Sequence, residues 1–176
     1  MDRVQEEAVT SETENLANGR RVRIRAFERS DLDQVDRLIQ RTIDSCYPPV
    51  YPPRAVEFFK RFHAREAISE RAADGLVIVI EEVDAIIATG AVVEGDITGV
   101  FVAPEYQGHG LGGVVMDRLE AAAFVDGCSS ARLSVSLPSK GFYERRGYRV
   151  IEQCSDDVGE GQRLDYWDAE KSLADA

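Results

Sequence analysis

The sequence predicts an α+β fold in which helices interrupt a mostly antiparallel sheet. Three observations support this prediction. Apolar residues recur with helical spacing between residues 30 and 71, three short apolar runs separated by tight turns follow between residues 76 and 102, and a glycine-rich loop then leads into another helix. The predicted element order is β-α-α-β-β-β-α-β-α-β-β, with one parallel strand pair around the helix that begins near Gly110.

Composition and charge limit the classes of protein to consider. The chain has 176 residues, a net charge of −11 and 44% hydrophobic residues, which fits one globular domain with its own core. No apolar window is long enough to span a bilayer, and the first residues lack the apolar core of a signal peptide, so we expect a cytoplasmic location. The acidic excess argues against a nucleic-acid or membrane partner, while a homodimer stays open.

Cysteine and histidine are too few and too scattered to predict a metal site. The three cysteines, Cys46, Cys128 and Cys154, are far apart and form no C-x-x-C pair. His63 and His109 are the only histidines. We therefore expect neither a disulfide framework nor a metal.

The N-terminal half predicts a tail, a strand and two helices. Residues 1–18 are polar and acidic and are expected to form a disordered tail, so that residues 19–176 make a single domain. Residues 21–27 alternate as a strand does, and a helical stripe follows Ser30. Four prolines between residues 46 and 53 interrupt the helical pattern, and residues 54–71 predict a second helix.

The C-terminal half begins with a predicted antiparallel meander over residues 76–83, 85–93 and 96–102. Strict alternation in its third strand would place Asp96, Thr98, Val100 and Val102 on one face. The remaining predicted elements are a helix over 110–125, a strand over 131–137, a short helix over 139–146, and a hairpin of residues 148–154 and 163–167 around DDVGEG.

The glycines before the helix at 110–125 predict a phosphate-binding site. Gly108, Gly110, Gly112 and Gly113 lie where a strand ends and a helix begins, and a helix N-terminus with bare backbone binds anions. Gly108, Gly110 and Gly113 also satisfy G-x-G-x-x-G, but three antiparallel strands precede the motif. The following strand has no carboxylate, so a dinucleotide-binding fold is disfavoured.

Two motifs resemble those of the GNAT acetyltransferase superfamily. One is Val102-x-Pro104-x-x-Gln107-x-x-Gly110-x-Gly112, and the other is Phe142-Tyr143-x-x-x-Gly147-Tyr148. The resemblance extends from about residue 21 to residue 167. It implies acetyl-CoA as cosubstrate, no metal, and transfer of the acetyl group to the primary amine of a small molecule or peptide.

The resemblance also implies which residues bind the cosubstrate. The pantetheine arm would pair with the backbone of Phe101, Val102 and Ala103, in a gap where this strand parts from the strand at 131–137. The pyrophosphate would bind the loop formed by Gln107, Gly108, His109, Gly110, Leu111, Gly112 and Gly113. Ser136 or Ser139 would replace an asparagine that the family often carries before the second motif.

For catalysis, the resemblance implies that Tyr143 protonates the departing thiolate. Asp96 stands where some members carry a general base, but it is equally well explained as a turn cap. Glu81, Glu82 and ordered water are the other sources of a base that the sequence offers. The acceptor would be bounded by residues 46–62 and the hairpin at 154–163. A non-catalytic acyl-CoA-binding regulatory module is the alternative function, and a nucleotide-dependent oxidoreductase is disfavoured by the strand order.

Overall fold

The computed structural model describes residues 11–16 and 19–174, and their strands form one eight-stranded sheet. The spatial order is β1-β2-β3-β4-β5-β6-β8-β7. The strands are β1 (Glu12–Asn15), β2 (Arg21–Ala26), β3 (Leu76–Glu82), β4 (Ala85–Val93), β5 (Asp96–Val102), β6 (Ser130–Ser136), β7 (Arg149–Gly159) and β8 (Gln162–Ser172). Every neighbouring pair is antiparallel except β5 and β6, which confirms the predicted α+β class.

Five α-helices cover the two faces of the described part of the sheet. They are α1 (Leu32–Cys46), α2 (Pro53–Phe62), α3 (Arg65–Asp74), α4 (Leu111–Val125) and α5 (Lys140–Arg145). Short 3₁₀ turns lie at Arg29–Asp31, Pro104–Tyr106 and Leu137–Ser139. Within residues 11–16 and 19–174, no helix is both long and apolar enough to cross a membrane.

The strand β3 is apolar along its length because both of its faces are covered. Ile78 and Ile80 pack in the core on the α4 side, whereas Val79 packs in the core formed with α1 and α2. All three side chains are fully buried. A strand buried on both faces loses the alternation of polar and apolar residues, which explains the continuous run in the sequence.

The strand β5 contains a β-bulge, and this overturns the predicted alternation of its side chains. Thr98 pairs with Ala91 and Phe101 pairs with Thr89, so two residues of β5 oppose one residue of β4. Gly99 has a φ of +61° at this point. As a result, Asp96 and Val102 lie on opposite faces instead of one.

The predicted second helix at 54–71 is two helices. His63 and Ala64 leave the helical conformation, and α2 and α3 form on either side of them. The break points His63 inward, where it is 7% exposed, and it lets α3 pack on β3 and β4. No glycine or proline marks this break, so the sequence pattern gave no signal of it.

The predicted disordered tail also needs correction, because β1 pairs in register with β2. Its acidic side chains are held by charge, since Arg118 of α4 forms ion pairs with Glu12 and Glu14. The residue that follows the strand, Leu16, is buried. Residues 1–10, 17 and 18 of the predicted tail lie outside the described residues.

The C-terminal hairpin is longer than predicted. Pairing of β7 with β8 continues through the predicted loop to a two-residue turn at Glu160 and Gly161. Both turn residues have positive φ, +56° and +70°, as a tight hairpin turn requires.

Candidate active site

The site lies where the parallel strands β5 and β6 part. Their ladder contains a single pair, Asp96 with Arg132, supported by a hydrogen bond from the Arg132 amide to the Gly95 carbonyl. Beyond Asp96, one edge of β5 has no neighbouring strand, so its backbone N–H and C=O groups on that side are free to bind a ligand. The predicted gap between these strands is therefore present.

Two cavities open along this gap and meet at shared residues. The smaller, about 450 Å³, reaches the loop of residues 107–113, and the larger, about 590 Å³, lies against α2, α3 and the C-terminal hairpin. We call the six residues that line both cavities the junction: Tyr47, Val100, Phe101, Ser136, Ser139 and Tyr143.

The smaller cavity ends at the N-terminus of α4. Gly110 caps this helix in the left-handed conformation, with a φ of +86°, and Gly108 has a φ of +77°. A Cβ added at either glycine would meet no atom within 4 Å, so the space beside the backbone is open. The first turn of α4 carries no acidic residue, which leaves its positive dipole end available to an anion.

Of the other two glycines of the loop, Gly112 has a packing role as well. A Cβ at Gly112 would lie 3.2 Å from Cζ of Phe142, so this glycine lets α4 and α5 approach each other. Both Gly112 and Gly113 also line the smaller cavity, together with Gln107 and Leu111.

Two predicted cosubstrate-binding residues do not line either cavity. His109 is exposed, and its Nδ1 lies 3.3 Å from the Tyr106 carbonyl oxygen. Ala103 donates its amide to Ile87 and accepts a hydrogen bond from the Tyr106 amide, so both of its backbone groups are engaged. The neighbouring Phe101 and Val102 line the smaller cavity as predicted.

Tyr143 is the junction residue with the most reactive side chain. It is 8% exposed, and its ring packs edge-to-face on Phe142 and Tyr148. Among the described residues, none forms a hydrogen bond with its hydroxyl group. Burial raises the pKa of Tyr143 above its ordinary value, with a smaller contribution from Tyr47. The hydroxyl group therefore keeps its proton and is free to donate it into the gap.

Three hydroxyl groups surround Tyr143 at the junction. Ser136 and Ser139 share a hydrogen bond of 2.8 Å, and the Tyr47 hydroxyl donates to Ser136 over 3.4 Å. Both serines lie at the predicted pantetheine-binding position. Tyr51, by contrast, is structural, because its hydroxyl group accepts the Leu137 amide and donates to the Asp165 carbonyl, each at 2.8 Å.

The larger cavity has an aromatic wall and contains an arginine that the sequence pattern did not single out. Phe58, Phe59 and Phe62 of α2 line it, and so do His63 and Arg71. Burial, and then the charge of Arg71, lower the pKa of His63 to about 3, so the imidazole is neutral. The helical spacing of 54–71 gave no reason to separate His63 from the rest of that segment.

The candidate bases lie in different environments. Asp96 lines the larger cavity, but its side chain is 60% exposed and both oxygens accept hydrogen bonds from Arg132, at 2.9 and 3.2 Å. Glu81 pairs with Arg25, and Glu82 accepts the Tyr106 hydroxyl. Neither glutamate lines either of these two cavities, so they are poor candidates for the base.

Comparison with known proteins agrees with this geometry. Residues 73–150 match the model of the acetyltransferase (GNAT) domain. The fold resembles a GCN5-related N-acetyltransferase from Rhodopseudomonas palustris, with 17% identity, 93% of this chain and 99% of that chain covered, and a TM-score of 0.77.

Two further solved structures share the fold. The PaiA N-acetyltransferase from Thermoplasma acidophilum in complex with coenzyme A has 18% identity, covers 86% of this chain and 98% of its own, and has a TM-score of 0.68. The ribosomal-protein-S18-alanine N-acetyltransferase from Escherichia coli has 16% identity, 86% and 94% coverage, and a TM-score of 0.66. Residues 73–150 are therefore similar to the GNAT acetyltransferase domain, and these solved structures share the fold of the chain.

The buried His63 makes stability depend on pH in a defined window. The unfolded chain binds a proton at His63 below a pKa of ~6.5, whereas the folded chain does not until about pH 3. The free energy of unfolding should thus fall as pH falls below 6.5, by about 2 kcal/mol between pH 7 and pH 5. Urea denaturation at several pH values measures this slope, which His63→Gln should remove. The matched control is His109→Gln, which should keep the slope, and a wild-type curve that is flat from pH 7 to pH 5 would contradict the prediction.

Proposed function

We propose that this protein transfers the acetyl group of acetyl-CoA to the primary amine of a small molecule or peptide, with Tyr143 as the general acid. The observation that carries the proposal is the position of Tyr143 at the junction. A free phenol lies between a cavity that ends in an anion-binding helix N-terminus and a second cavity large enough for an acceptor.

The smaller cavity suits each chemical part of acetyl-CoA in turn. The pyrophosphate would bind the free N–H groups at the start of α4, beside Gly108 and Gly110. The peptide-like pantetheine would extend along the free edge of β5, with Ser136 or Ser139 as an additional partner. This course brings the thioester to the junction.

The reaction then needs one bond formed, one broken and two protons moved. The neutral amine attacks the thioester carbonyl, the tetrahedral intermediate expels the CoA thiolate, and the Tyr143 hydroxyl donates its proton to the sulfur. The excess proton on the nitrogen leaves through water, and a proton returns to the Tyr143 phenolate through water, which restores the enzyme. Because buried Tyr143 holds its proton throughout the physiological pH range, it remains a donor at any pH where the amine is neutral.

Asp96 is the base that we include in this proposal, acting through water. Of the three carboxylates that the sequence offered as bases, Asp96 alone lines the larger cavity in the described part of the chain. Asp156 and Asp168 also line this cavity but were not among those candidates. Its oxygens are engaged by Arg132, which favours a water-mediated route over direct contact with the amine.

The α4 N-terminus is tested by Gly110→Asp. The substitution adds a negative charge where the pyrophosphate would bind and forces a side chain into a left-handed backbone position. We expect loss of CoA binding by isothermal titration calorimetry, at least ~10-fold, with the far-UV spectrum retained. Gly127→Asp is the matched control, because Gly127 also has positive φ and open space but lies after the end of α4. Full CoA affinity in folded Gly110→Asp would refute the phosphate site.

The general acid is tested by Tyr143→Phe, which keeps the ring and removes the proton. We expect kcat to fall ~10²–10⁴-fold with little change in the KM for acetyl-CoA, measured by thiol release where chemistry limits the rate. Tyr51→Phe is the control tyrosine, since its hydroxyl group joins the 3₁₀ turn after β6 to β8 and lies outside both cavities. Unchanged turnover in Tyr143→Phe would leave this residue a packing role, and CoA binding without turnover by the wild type would favour a regulatory module.

The base is tested by Asp96→Asn, which keeps the size of the side chain. We expect kcat/KM to fall ~10²-fold and the rise of kcat/KM with pH that follows ionisation of this carboxylate to disappear. Asp168→Asn, a change in the same cavity, is the control and should preserve the profile. An Asp96→Asn variant with a wild-type pH profile and lower thermal stability would assign Asp96 to its ion pair with Arg132 alone.

A further inference from the structure

The larger cavity contains an arginine whose charge is not neutralised. Nη1 of Arg71 lies 3.1 Å from Nδ1 of His63, and Nη2 donates to the Phe62 carbonyl oxygen at 3.1 Å. The guanidinium also lies over the Phe62 ring, 5.3 Å from its centroid. All of these partners are uncharged. Throughout residues 11–16 and 19–174, no carboxylate forms an ion pair with Arg71.

This arrangement is not a result of too few acidic groups. The chain has 32 acidic and 21 basic residues. The other arginine of the same cavity, Arg132, is held by both oxygens of Asp96. Arg71 is thus the arginine of the cavity that forms no ion pair in the described part of the chain, although Asp156 and Asp168 also line the cavity.

Leaving a half-buried guanidinium without a counter-ion costs free energy, and an anionic ligand would offset that cost. Burial lowers the pKa of Arg71, which reflects the same penalty, and the charge of the neighbouring Glu70 offsets only a smaller part of it without forming an ion pair. His63 orients the guanidinium without cancelling its charge, because the imidazole stays neutral and accepts the hydrogen bond at Nδ1. The charge of Arg71 is therefore available to a ligand in the cavity.

The position of Arg71 relates this charge to the reacting groups. A Cβ on Gly99 would lie 3.2 Å from Nη1, so the guanidinium lies directly against β5 at the bulge. The next two residues, Val100 and Phe101, belong to the junction. Beside Arg71, the stacked rings of Phe58 and Phe62 form an apolar wall, and Phe62 is 51% exposed.

We propose that the acceptor amine also carries a carboxylate, and that Arg71 binds that carboxylate while Phe58 and Phe62 contact the apolar part of the acceptor. The closeness of Arg71 to the junction favours a molecule in which amine and carboxylate are near each other, as in a free amino acid. This inference rests on the proposed function and names its substrate class. Arg71 is a specificity-determining residue in this assignment and takes no part in moving protons.

The test compares matched acceptors in a thiol-release assay at saturating acetyl-CoA. The twenty protein amino acids are each assayed beside their own carboxamide, with wild type, Arg71→Gln and Arg71→Lys. We expect amino acids to be the better acceptors of the wild type. Arg71→Gln should raise the KM for them ~10–100-fold and leave the carboxamides and the KM for acetyl-CoA unchanged. Arg71→Lys, which keeps the positive charge, should recover part of the loss.

Arg61→Gln is the matched control, because Arg61 is an exposed arginine of α2 outside both cavities, and it should behave as wild type. If the wild type acetylates carboxamides as well as amino acids, and Arg71→Gln affects both series equally, the carboxylate assignment is wrong and the acetyltransferase proposal stands. If no amine of either series releases thiol, free amino acids are not the acceptor, and the acetyltransferase proposal is left to acceptors of other classes. Thermal shift with the same pairs then tests binding at Arg71 without turnover. If the amino acid and its carboxamide raise the melting temperature equally, the assignment of Arg71 to a carboxylate is wrong.

Discussion

The parting of β5 from β6 is the constraint on which the rest of the site depends. The two strands share one pair, at Asp96 and Arg132, and then diverge. On the other side of β5, Gly90 faces the bulge, and a Cβ there would lie 2.6 Å from Cγ1 of Val115. Since α4 packs this closely on β4, β5 is held against β4 while its other edge stays free. One gap thereby provides an unpaired strand edge for the proposed cosubstrate and a cavity beside it for the proposed acceptor.

A buried charge network places Tyr143 at that gap. The carboxylate of Glu120 on α4 accepts hydrogen bonds from Tyr148, Arg146 and Lys171, at 3.1, 3.2 and 2.7 Å. These donors follow α5 in the chain or lie on β8, so the network ties α5 to α4 and the sheet. The amide of Tyr148 also donates to the Tyr143 carbonyl. Breaking such a buried pair leaves an uncompensated charge that costs ~3–5 kcal/mol, so the network fixes the position of Tyr143 firmly.

Much of this architecture follows from local sequence signals, and the parts that do not follow share one cause. The meander, the start of α4 and the Tyr143 motif each depend on residues that are close together in the sequence, so the local pattern alone predicts them. The β5 bulge depends on how Gly90 meets α4, and the break at His63 depends on how α3 packs, so neither has a local signal. Asp96 illustrates the same limit, since its spacing suggested a base while its pairing with Arg132 comes from a strand 36 residues away. Arg71 could be singled out only from the structure, where no carboxylate of the described residues forms an ion pair with it.

The electrostatics of the gap follow from which of its groups stay neutral. Burial raises the pKa values of Tyr47 and Tyr143 and lowers that of His63, and in each case the uncharged form is favoured. Neutral walls screen a charge far less than water does, so the field of Arg71 acts at greater strength across the cavity than it would on the surface. In a protein with a net charge of −11, an anionic acceptor would otherwise be repelled. Among the described residues, Arg71 has no carboxylate at ion-pair distance and lies beside the junction, so it would offset part of that repulsion, whereas Asp156 and Asp168 of the same cavity add to it.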